Sequence, residues 1–392
     1  MHIFKQGPTA AVTPLLPTYT PYPFAILSGS GERVFDTDGR AYLDFYGGHC
    51  VASTGHSHPA LVAALAEQAR TLIFYSAAAQ LPVRDAAAQA LVDFAPDCVA
   101  SAFFCNSGAE ANENALKLAV QLTGRHRFVA FRGSFHGRTL LAASVSDSPE
   151  LHKGLGPLLA PVDFLPFGNT AALQAADFSG VAAVIVEPIQ SMAGVATARN
   201  AWFKALREKC TQAGSLLIFD EIQTGIGRMG TPFAAQFYGV DPDLITCAKG
   251  VASGVPMAAV LMTAAVAAAL RPGDLGSTFG GGPLACAALI ATLKVIHEEG
   301  LMANAAAQAQ RLRTALAGSF ITEVRGEGLL LGLVAGSHAA ALKRYLQQHF
   351  ILVGGSSDAA VLRLMPPLSV SADSVTALLG AIQRFAVENK LA

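Results

Sequence analysis

The chain has 392 residues, of which 52% are hydrophobic and only 14% charged. Its 27 basic and 28 acidic side chains nearly cancel, leaving no basic stripe for a nucleic acid. That length buries an enzyme-sized core in two lobes, and the low charge suits a protein that hides surface in a subunit interface.

Six cysteines (Cys50, Cys98, Cys105, Cys210, Cys247 and Cys286) are scattered, with no CxxC pair and no Cys/His spacing suited to zinc. They read as small buried apolar residues in a reducing compartment. The first twenty residues carry no signal-peptide core and are interrupted by prolines. The longest apolar stretch, ending at Leu270, is too short and too rich in alanine to span a bilayer. A soluble cytoplasmic protein without a membrane or nucleic-acid partner is expected.

In chain order, residues 1–30 are rich in proline and read as an extended arm, and residues 31–48 as a hairpin turning at Asp38-Gly39. Apolar residues at helical spacing predict helices over 59–73 and 82–95. Short apolar runs predict strands at 101–105, 127–131, 181–186, 215–219, 243–248 and 257–262. Fully apolar strands interleaved with helices form a mostly parallel sheet covered on both faces. Ligands of such sheets bind at the carboxyl ends of the strands, where "CNSGAE", "FRGSFHG", "VEPIQ" and "FDEIQTG" fall. Beyond residue 275, helices at 282–298 and 300–317 lead into shorter strands and helices. The predicted organisation is an arm and hairpin over 1–50, a large α/β domain over 51–275, and a smaller α+β domain over 276–392 that the N-terminal segment joins.

Lys249 and Asp220 carry the most chemistry. Lys249 follows the apolar run in "DPDLITCAKG", and Asp220 ends another in "SLLIFDEIQTG". A lysine at a strand end is ordinarily a solvated charge. An amine and a carboxylate on successive buried strands, each followed by a glycine-bearing turn, are instead the minimum kit for a Schiff-base cofactor. The carboxylate keeps a pyridinium nitrogen protonated.

Other motifs are read two ways. Ser107, Gly108 and Ala109 open a helix whose free N–H groups suit an anion, although Ser107 with Glu110 also makes an ordinary capping box. Phe135 stacks on a flat ring or simply packs, and Arg138 is a fork for a carboxylate or a surface residue. Ser277 and Thr278 precede a glycine run and suit a phosphate cup. Arg363 interrupts the apolar strand of "VLRLMPPL", so either a structural carboxylate or a substrate must answer its charge. His49, His56 and His58 are irregularly spaced and lack an acidic cluster, so no metal site is expected.

Together these motifs resemble the class III pyridoxal-phosphate aminotransferases of fold type I, nearest the acetylornithine and succinylornithine group. The similarity runs in order through "VFDTDGRAYLDFYGG", "GHSHP", "FCNSGAEANENALKLA", "FHGRT", "VEPIQ", "IFDEIQTGIGRMG", "CAKG", "GSTFGGGPLACAA" and "VLRLMPPL". It implies an α/β fold with a large cofactor-binding domain and a small α+β domain. It further implies that Lys249 forms the Schiff base with pyridoxal 5'-phosphate and later carries the proton, while Asp220 pairs with the ring nitrogen. Gln223 would bond the phenolic oxygen, Phe135 and Ile222 would flank the ring, and Ser107, Gly108 and Ala109 would hold the phosphate. Thr278 would reach the phosphate of the other subunit, making a homodimer with shared sites. Arg138 would take a distant carboxylate and Arg363 the α-carboxylate of glutamate or 2-oxoglutarate, with Ser277 in the substrate-binding set.

The activity so implied is transfer of the terminal amino group of N-acetylornithine, or a related N-acylated diamino acid, to 2-oxoglutarate by a ping-pong route in arginine or lysine biosynthesis. Other class III donors remain open: N-succinylornithine, 4-aminobutyrate, ornithine or a lysine-derived amine. Aminomutase or decarboxylase chemistry and a non-catalytic role are the competing classes. Two departures bear on the donor. Met192 stands where ornithine-type members commonly carry a glutamate able to pair with the second arginine, and "YGGHCVASTGHSHP" differs from the commoner "GIAV" segment.

Overall fold

The computed structural model describes Leu15, Leu16 and residues 18–391. Much of the expected N-terminal arm therefore lies outside the described residues. Seven strands build the central sheet, in the spatial order Val99–Cys105, Ala258–Thr263, Leu244–Cys247, Leu216–Asp220, Val181–Val186, Arg127–Phe131, Val162–Leu165. Neighbours are parallel except Ala258–Thr263, which runs antiparallel to the strands on both sides of it. The fold is α/β, and the mostly parallel sheet is mixed through this one inverted strand.

Every residue of Val181–Val186 is buried. Its side chains alternate between two cores: Val184 and Val186 belong to one, Ala183 and Ile185 to the other. Helix Gly108–Thr123 covers one face with Ala111, Ala115, Leu116 and Ala119, all fully buried. Helix Asn200–Ala213 supplies Trp202, Phe203 and Leu206 to the other. Burial on both faces is why these strands are short continuous apolar runs rather than alternating ones.

Val162–Leu165 is a strand that the apolar runs did not reveal. It lies at the sheet edge, with Asp163 exposed and the rest half-buried, so its hydrophobic signal is broken.

The hairpin at Asp38-Gly39 joins Arg33–Asp36 to Ala41–Asp44 as expected, and Ile351–Leu352 extends that sheet in parallel. Chain segments more than three hundred residues apart thus share one small sheet. A second small sheet contains Glu323–Glu327, Leu330–Val334 and Val361–Leu364, the last carrying Arg363. The long helix Pro283–Glu298 packs on Pro59–Thr71 and Pro82–Phe94 and also touches Leu301–Leu316. No described helix is long and apolar enough to cross a membrane. The six cysteines are all free.

Candidate active site

The parallel strands deliver their chemistry at their carboxyl ends. Asp220 is the last residue of Leu216–Asp220, Glu187 follows Val181–Val186 directly, and Asn106 follows Val99–Cys105. Lys249 comes two residues after Leu244–Cys247, at the start of a single 3-10 turn. These ends surround a cavity of about 420 Å³, within the range of small-molecule sites. Ser107, Gly108, Ala109, Phe135, Arg138 and Asp220 line it, as do Ile222, Gln223 and Lys249. Nine of the twelve predicted site residues therefore meet in one place.

Lys249 has a left-handed backbone, φ +41°, a conformation that costs a residue with a Cβ and survives only where the surroundings enforce it. A Cβ at the next residue, Gly250, would lie 2.2 Å from Ser53 Oγ and force that side chain to move. Burial pulls the Lys249 pKa below that of an ordinary lysine, against the opposing pull of Cys50, Asp220 and Glu187. More of the amine is then unprotonated and nucleophilic near neutral pH.

Asp220 is held by three donors. His136 Nδ1 and Asn112 Nδ2 each lie 2.7 Å from its Oδ2, and Ile222 N lies 3.1 Å from Oδ1. Asn112 also donates to His136 O at 2.7 Å and accepts from Thr246 Oγ1 at 2.7 Å. A buried amide in an otherwise apolar helix face would be costly without such partners. Its position was readable: Asn112 falls in the same 3–4 stripe as Ala115, Leu116 and Ala119. Neither Asn112 nor the Asp220 contact of His136 was anticipated. Glu187 was overlooked as well. It lines the cavity, accepts Phe135 N at 2.8 Å, and is pushed up to about 7 by burial, with Asp220 adding to the rise and His136 opposing it.

At the helix start, Ser107 Oγ accepts Glu110 N at 3.2 Å, as the capping signature implied. The reciprocal contact differs: Glu110 Oε2 accepts Asn106 N at 2.8 Å and Asn106 Nδ2 at 3.0 Å rather than the cap's own N–H. Among the described residues, the N–H groups of Ser107, Gly108 and Ala109 keep no protein acceptor, and the helix dipole makes that end attractive to an anion. A Cβ at Gly108 would lie 2.6 Å from Ile222 Cδ1 and close this cradle. Ser277 is committed elsewhere: its Oγ donates to Glu110 Oε1 and accepts from Asn106 Nδ2, both at 3.0 Å. It braces the helix start and does not line the cavity. Thr278 is exposed and outside its own chain's cavity.

Arg363 is 2% exposed, and of the two answers the sequence left open for its charge, the structural carboxylate is not found among the described residues. Its Nη1 donates to Ser191 Oγ at 2.9 Å and its Nε to Gly355 O at 2.5 Å. Among the described residues no carboxylate pairs with it. Burial lowers its pKa, and Tyr46, Cys50 and Glu187 pull the other way. Arg138 is exposed and its guanidinium sits 5.8 Å from the Phe135 ring centroid. His49 bonds Tyr46 OH through Nδ1 and is pushed down to about 4 by burial and then by Lys249 and Arg363. His56 pairs with Asp44 and His58 with Glu299.

A family model for the class-III aminotransferases matches residues 17–386. The chain belongs to that family. It is 40% identical to the acetylornithine aminotransferase of Methanopyrus kandleri, over 91% of this chain and 93% of the relative. It is 38% identical to the LysW-aminoadipate semialdehyde/glutamate semialdehyde transaminase of Sulfolobus acidocaldarius, over 92% and 94%. The solved structure of an ornithine aminotransferase from Toxoplasma gondii ME49 matches with a TM-score of 0.88 at 32% identity, covering 96% of this chain and 93% of that one. An omega transaminase from Pseudomonas jessenii in complex with PMP matches with a TM-score of 0.84 at 26% identity, over 94% and 92%.

This class-III aminotransferase is thus a pyridoxal-phosphate-dependent enzyme. The cavity suits that cofactor on its own terms. Among the described residues Gln223 Oε1 is buried without a hydrogen-bond partner and the helix cradle has free N–H groups, while Asp220 offers an oriented carboxylate. When bound, pyridoxal phosphate supplies an aldehyde that captures an amine and a ring that withdraws electrons.

Proposed function

We propose that this aminotransferase moves the terminal amino group of N-acetylornithine, or a closely related N-acylated diamino acid, to 2-oxoglutarate in arginine or lysine biosynthesis. The observation that carries the reading is a pair of arginines that pair with no carboxylate among the described residues. There Arg138 makes only a ring contact with Phe135, and Arg363 bonds neutral oxygens of Ser191 and Gly355. Two such forks suit a dicarboxylate acceptor in one half-reaction. In the other, Arg138 takes the carboxylate remote from the reacting amine. Similarity to acetylornithine aminotransferases supports the acyl-ornithine class, and similarity to a LysW-aminoadipate semialdehyde/glutamate semialdehyde transaminase supports the wider group of N-acylated diamino acids.

In this reading Lys249 Nζ would hold the cofactor's aldehyde carbon and would serve as the base that moves the proton at the substrate carbon. Asp220 would pair with the ring nitrogen, Gln223 would meet the phenolic oxygen, and Ser107, Gly108 and Ala109 would bind the phosphate through N–H groups. Phe135 and Ile222 exclude water from the ring faces. Thr278, exposed beside exposed Phe279 and Phe74, is assigned to the phosphate of a second subunit in a cytoplasmic homodimer. Ser277 holds Glu110 and Asn106 rather than substrate. The proposal divides the chain into an arm and hairpin over 1–50, a cofactor domain over 51–275 and a C-terminal domain over 276–392. The balanced charge gives no reason to add a nucleic-acid or membrane partner.

A donor panel tests the proposal: N-acetylornithine, N-succinylornithine, ornithine and 4-aminobutyrate with 2-oxoglutarate, measuring glutamate release. The acylated ornithines are expected to lead in kcat/KM. Preference for 4-aminobutyrate or a lysine-derived amine would move the enzyme to another class III activity.

A further inference from the structure

We propose that Arg363 takes a small monovalent anion, a halide or a free monocarboxylate, in the half-reaction whose amine donor brings no carboxylate to it. Ser191 is the positioning residue that keeps the receiving edge of the guanidinium in place. The proposal rests on the part of the reading above in which the donor's reacting end is a bare amine, so that this edge stands empty until 2-oxoglutarate fills it.

A guanidinium carries several N–H donors and no acceptor. Gly355 O takes the donor on Nε, and Ser191 Oγ takes one on Nη1. Among the described residues no acceptor meets Nη2, and this nitrogen is not sealed from solvent. The remaining N–H groups of Nη1 and Nη2 form an end-on fork that fits a carboxylate or a halide.

The arginine is not free to turn toward a counter-charge. Its backbone N and O pair with Gly354 O and N, each at 2.9 Å. Ser357 N and Oγ both donate to Met192 O at 2.8 Å. Loop 354–357 and segment 191–192 thus clasp each other beside the guanidinium. Ser191 is fully buried, and Met192 next to it is neutral.

None of the groups facing Arg363 is a ready counter-charge. Lys249 is basic, and burial pushes His49 down to about 4 and raises Tyr46. Cys50 Sγ is directed at Gln223 O, 3.9 Å away. Glu187, pushed up to about 7 by burial, commits Oε1 to Phe135 N. A buried cation without a partner is costly, so an anion that enters beside the donor removes a cost the donor complex otherwise carries. Arg363 lies just outside the cavity lining, and the space at its edge suits a chloride or an acetate rather than a second substrate.

Wild-type holoenzyme decides the matter, with each half-reaction followed after rapid mixing. Chloride or acetate is added while a bulky sulfonate holds the ionic strength constant. Either anion is expected to raise the second-order rate constant for N-acetylornithine roughly 5-fold and to lower that for 2-oxoglutarate by a similar factor. A response to acetate alone assigns the site to a monocarboxylate, and to chloride alone, to a halide. Chloride NMR line broadening that 2-oxoglutarate reverses is the expected binding signal without turnover. Met192→Glu tethers a carboxylate nearby and is expected to abolish both anion effects. Ser191→Ala is expected to raise the anion concentration needed roughly 5-fold, and Ser191→Thr, which keeps the hydroxyl, to hold it within about 2-fold. Anions that act alike on both half-reactions, or on neither, overturn the inference and leave the donor panel's outcome untouched. If another donor leads that panel and the anions still speed it while inhibiting 2-oxoglutarate, the acylornithine reading fails and this inference stands.

Discussion

The two ends of the cavity are built on opposite rules. At the cofactor end Asp220 receives three donors, from His136, Asn112 and Ile222, and two of those are themselves held, His136 by Ser146 and Asn112 by Thr246. At the end proposed for the substrate, Arg363, just outside the cavity lining, has two neutral acceptors, and among the described residues Arg138 has only an aromatic ring contact. A cofactor that never leaves rewards a finished, rigid contact. Two substrates that take turns reward donors whose charge stays unspent until a carboxylate arrives. The same low dielectric therefore serves orientation at one end and reception at the other.

Breaking the cofactor end should have the larger effects. Lys249→Ala is expected to lower kcat by at least about 10⁴-fold, since it removes both the attachment point and the proton carrier. Single-turnover absorbance would check it, and near-normal turnover would remove the basis for the mechanism. Asp220→Asn keeps the shape but not the charge, and is expected to cost on the order of 10²- to 10³-fold in kcat with little change in the KM of either substrate. A loss confined to KM would mean that Asp220 only helps binding.

Breaking the substrate end should act on binding. Arg363→Lys loses the planar fork and is expected to raise the KM for 2-oxoglutarate roughly 10-fold or more, with a smaller effect on the acylated donor. Met192→Glu adds a carboxylate one residue from Ser191, whose hydroxyl accepts from Arg363. It is expected to favour the amine donor over 2-oxoglutarate by about 10-fold in the ratio of kcat/KM values. Equal ratios in wild type and variant would show that no charge need be masked there.

The smallest effect sharpens the boundary between the two ends. Glu187 has a folded pKa raised to about 7 from 4.5, mainly by burial. Its contribution to stability is thus fully present below about 4.5 and lost as pH rises through about 7. Glu187→Gln has no such loss, and its Tm relative to wild type is expected to climb between pH 5 and 8 by roughly a few degrees. A constant difference would show that Glu187 is not desolvated as described.

Legibility followed the same division. Strands 127–131 and 181–186 were read to the residue, because double-sided burial makes each an unbroken apolar run bounded by polar groups. The end of Leu216–Asp220 lay one residue beyond its apolar run, since Asp220 still pairs in the ladder with Thr246. Lys249, Asp220 and the helix opening at Ser107 stood out because charge or small residues follow such runs directly. The support behind them did not. Asn112 is one polar residue in a helix, and Ser191 and Gly355 reach Arg363 across more than a hundred residues and across eight. Hydrogen bonds of that kind have no periodicity. Ser277 misled for a related reason: hydroxyls before a glycine run suit a ligand, but here Glu110 claims the hydroxyl first.

Borohydride reduction of the holoenzyme followed by peptide mass mapping tests the central claim most directly. The cofactor's mass is expected on the peptide containing Lys249 and to be absent when an amine donor is added before reductant. A label on any other lysine, or no label on a protein that still transaminates, would contradict the account.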